Sequence, residues 1–390
     1  MRPHHIVFIL FLFHALLTSC KPEKQGEENK TIFIPLTDAK IISVHDIFEE
    51  VKYIPLETND FSLLTSITDL SFSKLIFKNG YIYTQHLNSP LFVFDENGSW
   101  IRTIDRKGQG PEEYTSLSNF DVNNNKEIVV LDRRSGKILF YSWEGRFLAR
   151  VNYRIEHQLP NQLYYLNDSL LIAHSPSHRF EGYKFHILHR NTLDFINSYF
   201  PAYLRQVGGS VSDCFVEYQG KVIFYEPQNP HIYELTSDTA MLRYTIEVGG
   251  KTPPENFWDI KDMTWAEIVE KNIGQRQIQE HREKGYIDNM MFFSEAPETI
   301  LLQFSGSKDT YNGTYALINK KHRTSVLIDK IAFDSQFVWK PHTMFSRSDG
   351  IVIIPIPAHV LLDSGEGEIR KMFPNLLEDD NPILCIAKLR

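Results

Sequence analysis

A pattern of short strands recurs along this chain at intervals of about 46 residues, and few folds can accommodate such a repeat. It is clearest in Tyr81–Ile104 and Glu127–Val151, each of which has three strands separated by a polar turn and then a tight turn. The tight turns end at Gly98 and Gly145, which lie 47 positions apart. Glycine supplies the positive φ that such hairpins require, so the two stretches are predicted to be copies of one structural unit.

The same spacing continues downstream in a weaker form. Further hairpins are predicted to turn near Asn191, Ser237 and Lys320, and the last interval is longer by an insertion of about 37 residues. Units of this length with three or four strands are typical of the blades of a β-propeller.

Both ends of the chain supply strands for one more unit. Ile351–Asp363 and Asn381–Arg390 are predicted strands, whereas Glu49–Thr58 precedes the first repeat and has no hairpin partner there. If Glu49–Thr58 pairs with the C-terminal strand, the ring closes and no sheet edge is left open at the seam. The sequence therefore predicts an all-β fold: a six-bladed β-propeller over residues 31–390, with its last blade closed by strands from the N- and C-terminal ends.

One segment breaks the strand pattern. Residues 255–285 are polar and have a helical period, with Phe257, Ile260 and Ile268 along one face. This predicts a small helical insertion between blades four and five, divided into two helices at Gly274. The insertion is interpreted as a cap that packs on the ring or, alternatively, as a lid over a ligand.

The N-terminus has the pattern of an export signal. Ile6–Leu17 is an apolar run of 12 residues, shorter than the roughly 20 that a membrane-spanning helix needs. The sequence Leu17-Thr18-Ser19-Cys20 that ends it resembles the lipobox of bacterial lipoproteins, in which the cysteine thiol receives a diacylglyceryl group. We therefore predict a lipoprotein signal peptide over residues 1–20, lipidation of Cys20, and a flexible tether over residues 21–30. The predicted location is the outer membrane, facing either the periplasm or the cell surface.

Charge and cysteine content narrow the range of partners. The net charge is −8, and without a basic stripe the chain is not expected to bind nucleic acid. Apart from Cys20 the chain has only Cys214 and Cys385, which are predicted to be buried free thiols on different blades.

Recognisable catalytic and metal motifs are missing from the sequence. Neither an H-E-x-x-H nor a G-x-S-x-G motif occurs, and the segment from Asp121 to Asp132 lacks the glycine and the glutamate of a calcium loop. We interpret that segment as a turn over Asn123–Lys126 between two strands. No catalytic residue, metal or cofactor is predicted.

A glycine-rich loop carries a resemblance to a known family. Gly108-Gln109-Gly110-Pro111-Glu112-Glu113-Tyr114 follows a hairpin and precedes the strand Phe120–Val122, an order that resembles a signature of the six-bladed β-propeller lipoproteins of Bacteroidetes, relatives of NHL-repeat propellers. Ile54–Thr58 and Asn381–Leu389 are similar to the closing strands of that family, and only Glu112 departs from its usual glycine. The resemblance covers Thr31–Arg390 and implies the fold and the location rather than a chemistry.

The long connections are predicted to emerge on one face of the propeller. The strands of a blade are numbered outward from the axis. The loop between the second and third strands then lies on the same face as the crossing, which is the connection to the next blade. Every predicted crossing is long. Loops on a rigid scaffold often carry function, so this face is the predicted binding face. The candidate ligand-binding residues are Arg106, Gln109, Glu113, Tyr114, His157, Tyr164, Arg205, Asp213, Trp339 and His342.

Three functions fit these patterns. The preferred hypothesis is a lipid-anchored module that binds a glycan, a peptide or a partner protein through loop aromatic residues. A polysaccharide lyase or hydrolase with an axial active site is the first alternative, and it requires carboxylates, histidines or arginines that converge at the axis. A structural subunit of an outer-membrane complex is the second. The absence of a catalytic signature favours a non-enzymatic role.

Overall fold

The computed structural model describes residues 30–64, 72–86, 89–153, 160–175, 182–202, 213–306 and 313–390. These residues form an all-β propeller with few helices. Among them, none of the helices combines the length and hydrophobicity that a bilayer crossing requires.

The described chain opens with three strands that add to sheets formed by later residues. They are β1 (Thr31–Ile34), β2 (Lys40–Ser43) and β3 (Phe48–Pro55), and the short helix α1 (Val44–Ile47) lies between β2 and β3.

The next twelve strands form three antiparallel sheets of four strands, each in chain order. Sheet 1 contains β4 (Phe72–Lys78), β5 (Tyr81–His86), β6 (Leu91–Asp95) and β7 (Trp100–Ile104). Sheet 2 contains β8 (Asn119–Val122), β9 (Ile128–Asp132), β10 (Lys137–Tyr141) and β11 (Phe147–Asn152). Sheet 3 contains β12 (Gln162–Asn167), β13 (Leu170–His174), β14 (Gly182–His189) and β15 (Phe195–Ala202).

The remaining sheets combine later strands with the N-terminal ones. Sheet 4 contains β16 (Phe215–Tyr218), β17 (Lys221–Phe224), β18 (His231–Leu235), β19 (Ala240–Val248) and β1. Sheet 5 contains β20 (Ile287–Glu295), β21 (Thr299–Gly306), β22 (Thr314–Asn319), β23 (Thr324–Ala332), β24 (Val338–Trp339) and β2. Sheet 6 contains β25 (Phe345–Ser346), β26 (Ile351–Ile356), β27 (Ile383–Leu389) and β3.

Four further helices lie in two later connections of the described chain. The helices α2 (Trp265–Glu270) and α3 (Ile273–Lys284) lie between β19 and β20, and α4 (Ala358–Leu362) and α5 (Glu368–Met372) lie between β26 and β27. Thr264 begins α2 with a capping box, in which it accepts from the backbone of Glu267 while the Glu267 side chain accepts from Thr264. The predicted division at Gly274 is wrong by a few residues: the break falls at Asn272, which has a φ of 51°, and Gly274 lies inside α3.

The pairing predicted for the two chain ends is confirmed. β3 runs antiparallel to β27, with Tyr53 opposite Cys385 and Lys52 opposite Ile386. The other N-terminal strands also cover sheet edges, because β1 runs parallel to the outer strand β19 and β2 runs parallel to β23. The first residues of the described chain therefore occupy the outer edges of sheets 4, 5 and 6 in turn, which removes exposed hydrogen-bonding edges there.

Hydrophobic side chains fill the spaces between successive sheets. Each of six buried clusters joins two neighbours in chain order, and the last joins sheet 6 back to sheet 1. One pair from each cluster illustrates this: Ile76 with Leu139, Leu131 with Leu171, Phe185 with Phe224, Ile223 with Leu302, Leu301 with Ile354, and Phe94 with Leu384. Because a fully buried side chain of this kind contributes about 1.5–3 kcal/mol, this packing holds the sheets together around a common axis.

The turn glycines behave as the sequence predicts. Gly98 and Gly145 have φ values of 84° and 79°, in the turns that join the third and fourth strands of sheets 1 and 2. These turns lie on the same face of the propeller as the turns between the first and second strands of each sheet. We call this face the hairpin face. The opposite face, which carries the second-to-third loops and the crossings between sheets, is called the crossing face below.

Candidate functional site

The axis of the propeller holds a buried cluster of charged residues. Arg347, next to β25 of sheet 6, forms ion pairs with Asp121 on β8 and, at 3.2 Å, with Asp213 next to β16. Its guanidinium also lies over the ring of Tyr164 on β12, 4.0 Å from the ring centre. Lys74 on β4 lies 3.3 Å from Asp213. Side chains from five of the sheets therefore meet at the axis.

Two more residues extend this cluster toward the hairpin face. Glu217 on β16 accepts a hydrogen bond of 3.2 Å from the Tyr164 hydroxyl and forms a 3.4 Å ion pair with Lys78. The backbone of Glu217 also bonds to the segment after β25, since its N–H donates to the carbonyl of Arg347 at 2.7 Å. The cluster thus ties sheet 6 to sheets 2, 3 and 4.

Burial and neighbouring charges set the ionisation of the axial residues. Burial alone would lower the pKa of Arg347, but the negative charges of Asp121, Asp213 and Glu217 outweigh it and hold that pKa above its ordinary value. Burial raises the pKa of Tyr164 well above its ordinary value, so its hydroxyl stays protonated and donates to Glu217. Each axial carboxylate has a cationic partner, an arrangement that suits structural stabilisation better than proton transfer.

A cleft opens on the crossing face between sheets 3 and 4. It has a volume of about 280 Å³, and it is bounded by the ends of β14 and β15, the loop after β17, the start of β18 and the segment that leads into α2. We call it the crossing-face cleft. Its lining residues are Lys184, Phe200, Phe224, Glu226, Gln228, Asn229, Pro230, His231, Tyr233, Pro253, Pro254, Glu255, Asn256, Phe257, Trp258 and Asp259.

The floor of the cleft is a buried ion pair. Lys184 and Glu226 form it across the two sheets, and the exposed fraction of each residue is below a tenth. Glu226 also accepts a 3.1 Å hydrogen bond from the Asn229 amide and lies 3.9 Å from His174. Removing either member of such a pair would leave an uncompensated buried charge. The folded protein is therefore expected to keep the two side chains paired at the floor of the cleft.

Aromatic side chains form the walls. Phe200 and Tyr233 lie with ring centres 4.5 Å apart on the side of the sheets, and Phe257 meets Trp258 edge-on at 4.9 Å on the side of the insertion. Trp258 is held by its indole N–H, which donates to Asp288 on β20 at 2.6 Å. The walls are therefore preformed, with apolar faces on both sides of a charged floor.

Two of the predicted binding residues, Tyr164 and Asp213, meet at the axis through Arg347. Tyr164 was chosen as a candidate residue of the binding face, but it is a fully buried residue of β12. The remaining candidates do not join this pair.

The glycine-rich loop lies on the crossing between sheets 1 and 2. Tyr114, one of the candidate ligand-binding residues, is a core residue whose hydroxyl donates to the carbonyl of Ile104, so it is not accessible to a ligand. Arg106 donates two hydrogen bonds to the carbonyl of Gly145 in the next sheet, at 3.0 and 3.2 Å. Glu113 folds back to accept from the N–H of Gly110, and Gln109 is exposed. These contacts join successive sheets.

The other candidates are dispersed. Trp339 is half-buried and stacks with Phe337 at 6.2 Å beside the outer strand of sheet 5, away from the axis, and His342 is exposed on the crossing to sheet 6. His157, Arg205 and the predicted lipidation site Cys20 lie outside the described residues.

Sequence reasoning did not find the floor of the cleft. Lys184 and Glu226 are 42 positions apart and belong to different sheets, and no motif links them. The available signal was a charged residue near the crossing-face end of a strand that is otherwise apolar, as in Val222-Ile223-Phe224-Tyr225-Glu226. Trp258 also lines the cleft.

The two predicted thiols and the predicted turn are as expected. Cys214 and Cys385 are buried free cysteines, and Asn123–Lys126 is a turn in which the Asn123 side chain accepts from the N–H groups of Asn125 and Glu127 at 2.9 Å. No group of three or more potential metal ligands occurs among the residues that the structure describes.

The fold and the two sites define the chain as a β-propeller with a charged axis and a cleft on its crossing face. Within that class it belongs to a family described as a domain of unknown function, DUF4934, whose model matches residues 31–388. No protein of curated function matches the chain.

Two solved structures from Bacteroides share the architecture. A candidate exported protein of Bacteroides fragilis NCTC 9343 is 17% identical, with a TM-score of 0.72 over 92% of this chain and 99% of that one. A member of the DUF4221 family from Bacteroides vulgatus ATCC 8482 is 12% identical, with a TM-score of 0.50 over 88% of this chain and 98% of that one. At these identities the likeness concerns the fold.

Proposed function

We propose that this chain is an extracytoplasmic, lipid-anchored binding protein that uses the crossing face of a closed six-bladed propeller, with the crossing-face cleft as its ligand contact. The observation that carries this proposal is the cleft itself: preformed aromatic walls around a buried Lys184–Glu226 pair, on the face to which the long crossings belong. Concave sites of this composition are typical of binding proteins.

The packing of the sheets supports the proposed count of six blades. The described strands form six sheets, and six hydrophobic clusters link them in a series that returns from sheet 6 to sheet 1. Pairing of β3 with β27 completes sheet 6 from the two ends of the chain. Each sheet corresponds to one blade on this proposal.

The position of β1 bears on how an anchored propeller would be oriented. Because β1 runs parallel to β19, it begins at the hairpin-face end of that outer strand. A tether over residues 21–30 would reach at most about 35 Å from this point when extended. Lipidation of Cys20 would therefore anchor the propeller through the hairpin-face end of the outer strand of sheet 4. Export is consistent with the description of the Bacteroides fragilis relative as a candidate exported protein.

The axial cluster favours binding over catalysis. Asp121 and Asp213 are ion-paired to Arg347, and Glu217 is ion-paired to Lys78 and hydrogen-bonded to Tyr164. A lyase or hydrolase at this position would need a group free to exchange a proton with a substrate. The same groups explain instead how the sheets are held at the axis.

The test is a binding screen with the cleft blocked. The chain from residue 21 onward is titrated calorimetrically with glycans and peptides, and each hit is repeated with Glu255→Trp, which places an indole at the cleft, and with two matched controls. Glu270→Trp is on α2 outside the cleft, and Glu96→Trp is on the hairpin face. The proposal predicts at least a tenfold loss of affinity for Glu255→Trp alone. Loss of binding for Glu96→Trp alone would place the site on the opposite face and refute it.

A further inference from the structure

The charged groups of the crossing-face cleft are mainly acidic among the described residues. The part of the lining that the structure describes contains the carboxylates of Glu226, Glu255 and Asp259 and the ammonium of Lys184. Lys184 is neutralised by Glu226 at the floor, and burial lowers the pKa of His231, which keeps that ring neutral near pH 7. Beside this neutral pair, the exposed carboxylate of Glu255 gives the described lining a negative charge.

Two side chains of the cleft present acceptor oxygens. The side-chain oxygen of Gln228 is buried and has no hydrogen-bond partner among the described residues, and an orphaned buried acceptor is costly unless a donor reaches it. Glu255 is exposed at the cleft and carries two further acceptor oxygens. A ligand that donates several N–H groups would satisfy these atoms, whereas an acceptor-rich ligand would not.

The walls suit the same kind of ligand. Phe200, Tyr233 and Phe257 line the cleft, and aromatic rings attract cations through their quadrupole. The chain already uses this contact at the axis, where Arg347 lies 4.0 Å from the centre of the Tyr164 ring. The volume of about 280 Å³ is at the small end for ligand sites, so it fits one head group or side chain and not an extended polymer.

We infer that the crossing-face cleft binds an organic cation, an ammonium or guanidinium group that is inserted between the aromatic walls and donates to Gln228 and Glu255. This inference rests on the proposed function and specifies its ligand class. The cation can belong to a free amine or to a lysine or arginine side chain of a peptide, because both present the same head group.

The experiment compares matched cationic and neutral probes. Agmatine and cadaverine represent the free cations, and the blocked tripeptides Ala-Arg-Ala and Ala-Lys-Ala represent the side chains. Their neutral counterparts carry citrulline and acetyl-lysine, and neutral and anionic monosaccharides complete the panel. Affinity is measured by calorimetry, and hydrogen exchange of the backbone amides in residues 226–233 and 253–259 reports whether the cleft is occupied.

The expected result is that at least one cation binds and protects the cleft, that its neutral counterpart binds at least tenfold more weakly, and that added salt weakens binding. Glu255→Gln and Tyr233→Leu should each reduce affinity roughly tenfold, which corresponds to about 1.4 kcal/mol. Glu270→Gln, on the same insertion but outside the cleft, should leave it unchanged.

Two results would overturn the inference in distinguishable ways. If neutral or anionic probes protect the cleft and cations do not, the ligand class is wrong while the binding site stands. If cations bind without protecting the cleft and Glu255→Trp does not affect them, both the inference and the proposed site fail. Binding of the free amines alone, or of the tripeptides alone, identifies the source of the cation within the inferred class.

Discussion

Arg347 of sheet 6 and Asp121 of sheet 2 form a buried ion pair although 226 positions separate them in the chain. The side chain of Arg347 is 4% exposed and that of Asp121 is fully buried. Both residues are next to or within the innermost strand of their sheet, so the pair crosses the axis. Its partners can meet only when the sheets between them are in place.

Replacing Arg347 with methionine should therefore destabilise the whole ring. The Arg347→Met change keeps much of the side-chain volume but leaves Asp121 and Asp213 without their main counter-charge, at a cost of about 3–5 kcal/mol in the free energy of unfolding. Urea unfolding at pH 7 measures this. The double variant Arg347→Met with Asp121→Asn should recover part of the loss, and strictly additive losses would show that the two side chains do not interact.

The turn glycines give a second prediction. Gly98 and Gly220 both have positive φ values, of 84° and 71°, so alanine is strained at either position. A Cβ at Gly98 would lie 2.1 Å from the carbonyl oxygen of Pro55 at the end of β3, whereas one at Gly220 would meet nothing within 4 Å. We expect Gly220→Ala to cost about 1–2 kcal/mol in the free energy of unfolding, and Gly98→Ala about 2–3 kcal/mol more. Equal losses would mean that the turn of sheet 1 does not contact the closing strand.

Local turn chemistry and an unpaired strand were enough to predict much of the fold. The repeat was recognised from Gly98 and Gly145, because a tight hairpin favours glycine at the position with positive φ in every copy of the unit. The segment around Tyr53 pointed to the C-terminal strand because it had no other partner. The position of the helix break was missed since Asn272, and not Gly274, adopts the left-handed conformation there.

The sites were harder to predict because their residues come from distant parts of the chain. Tyr164 and Asp213 were chosen as isolated residues, and Arg347, which joins them, was not chosen. The pair Lys184 and Glu226 depends on the alignment of neighbouring sheets, which a strand pattern does not specify. Tyr114 was chosen as a candidate ligand-binding residue of the glycine-rich loop, yet its ring packs between sheets 1 and 2.

Lipidation of Cys20 is tested by one substitution. The Cys20→Ser variant removes the predicted acceptor thiol, so the protein should lose incorporation of an alkyne-labelled fatty acid that the wild type shows. Labelling of Cys20→Ser to the wild-type level would contradict the predicted anchor, and Cys214→Ser is the matched control for loss of a thiol.

Glu295 links sheets 4 and 5 and predicts an acid-sensitive contact. Its carboxylate accepts from Arg243 at 2.8 and 2.9 Å, from Lys320 at 2.9 Å and from the Tyr244 hydroxyl at 2.8 Å. Burial would raise the pKa of Glu295, but the hydrogen bonds and charges of Arg243 and Lys320 outweigh it and lower the pKa below its ordinary value of 4.5. Because the pKa is lowered in the folded state, ionised Glu295 contributes its full stabilisation of the fold at pH values above the ordinary pKa. This stabilisation is lost as the pH falls through the lower pKa of the folded state.

The variant Glu295→Gln should therefore reduce the free energy of unfolding at pH 7 by about 3 kcal/mol, and by progressively less below pH 4. Urea unfolding of both proteins between pH 3 and pH 7 measures the difference. A difference that stays constant over this range would show that the charge of Glu295 contributes nothing and that only its shape matters.

The pairing of β3 with β27, which joins the two chain ends in sheet 6, can be probed through the two buried thiols. Burial raises the pKa of Cys385 to about 12 and that of Cys214 well above its ordinary value, and alkylation requires the thiolate. At pH 8 the folded chain from residue 21 onward should take up no iodoacetamide at either position, whereas the urea-unfolded chain should take up two equivalents by mass spectrometry. Because β27 lies between β26 and β3, we expect Cys385 to react at the same rate as Cys214 when the ring opens as a unit. Faster labelling of Cys385 would show that the strands from the two chain ends separate before the rest of the propeller unfolds.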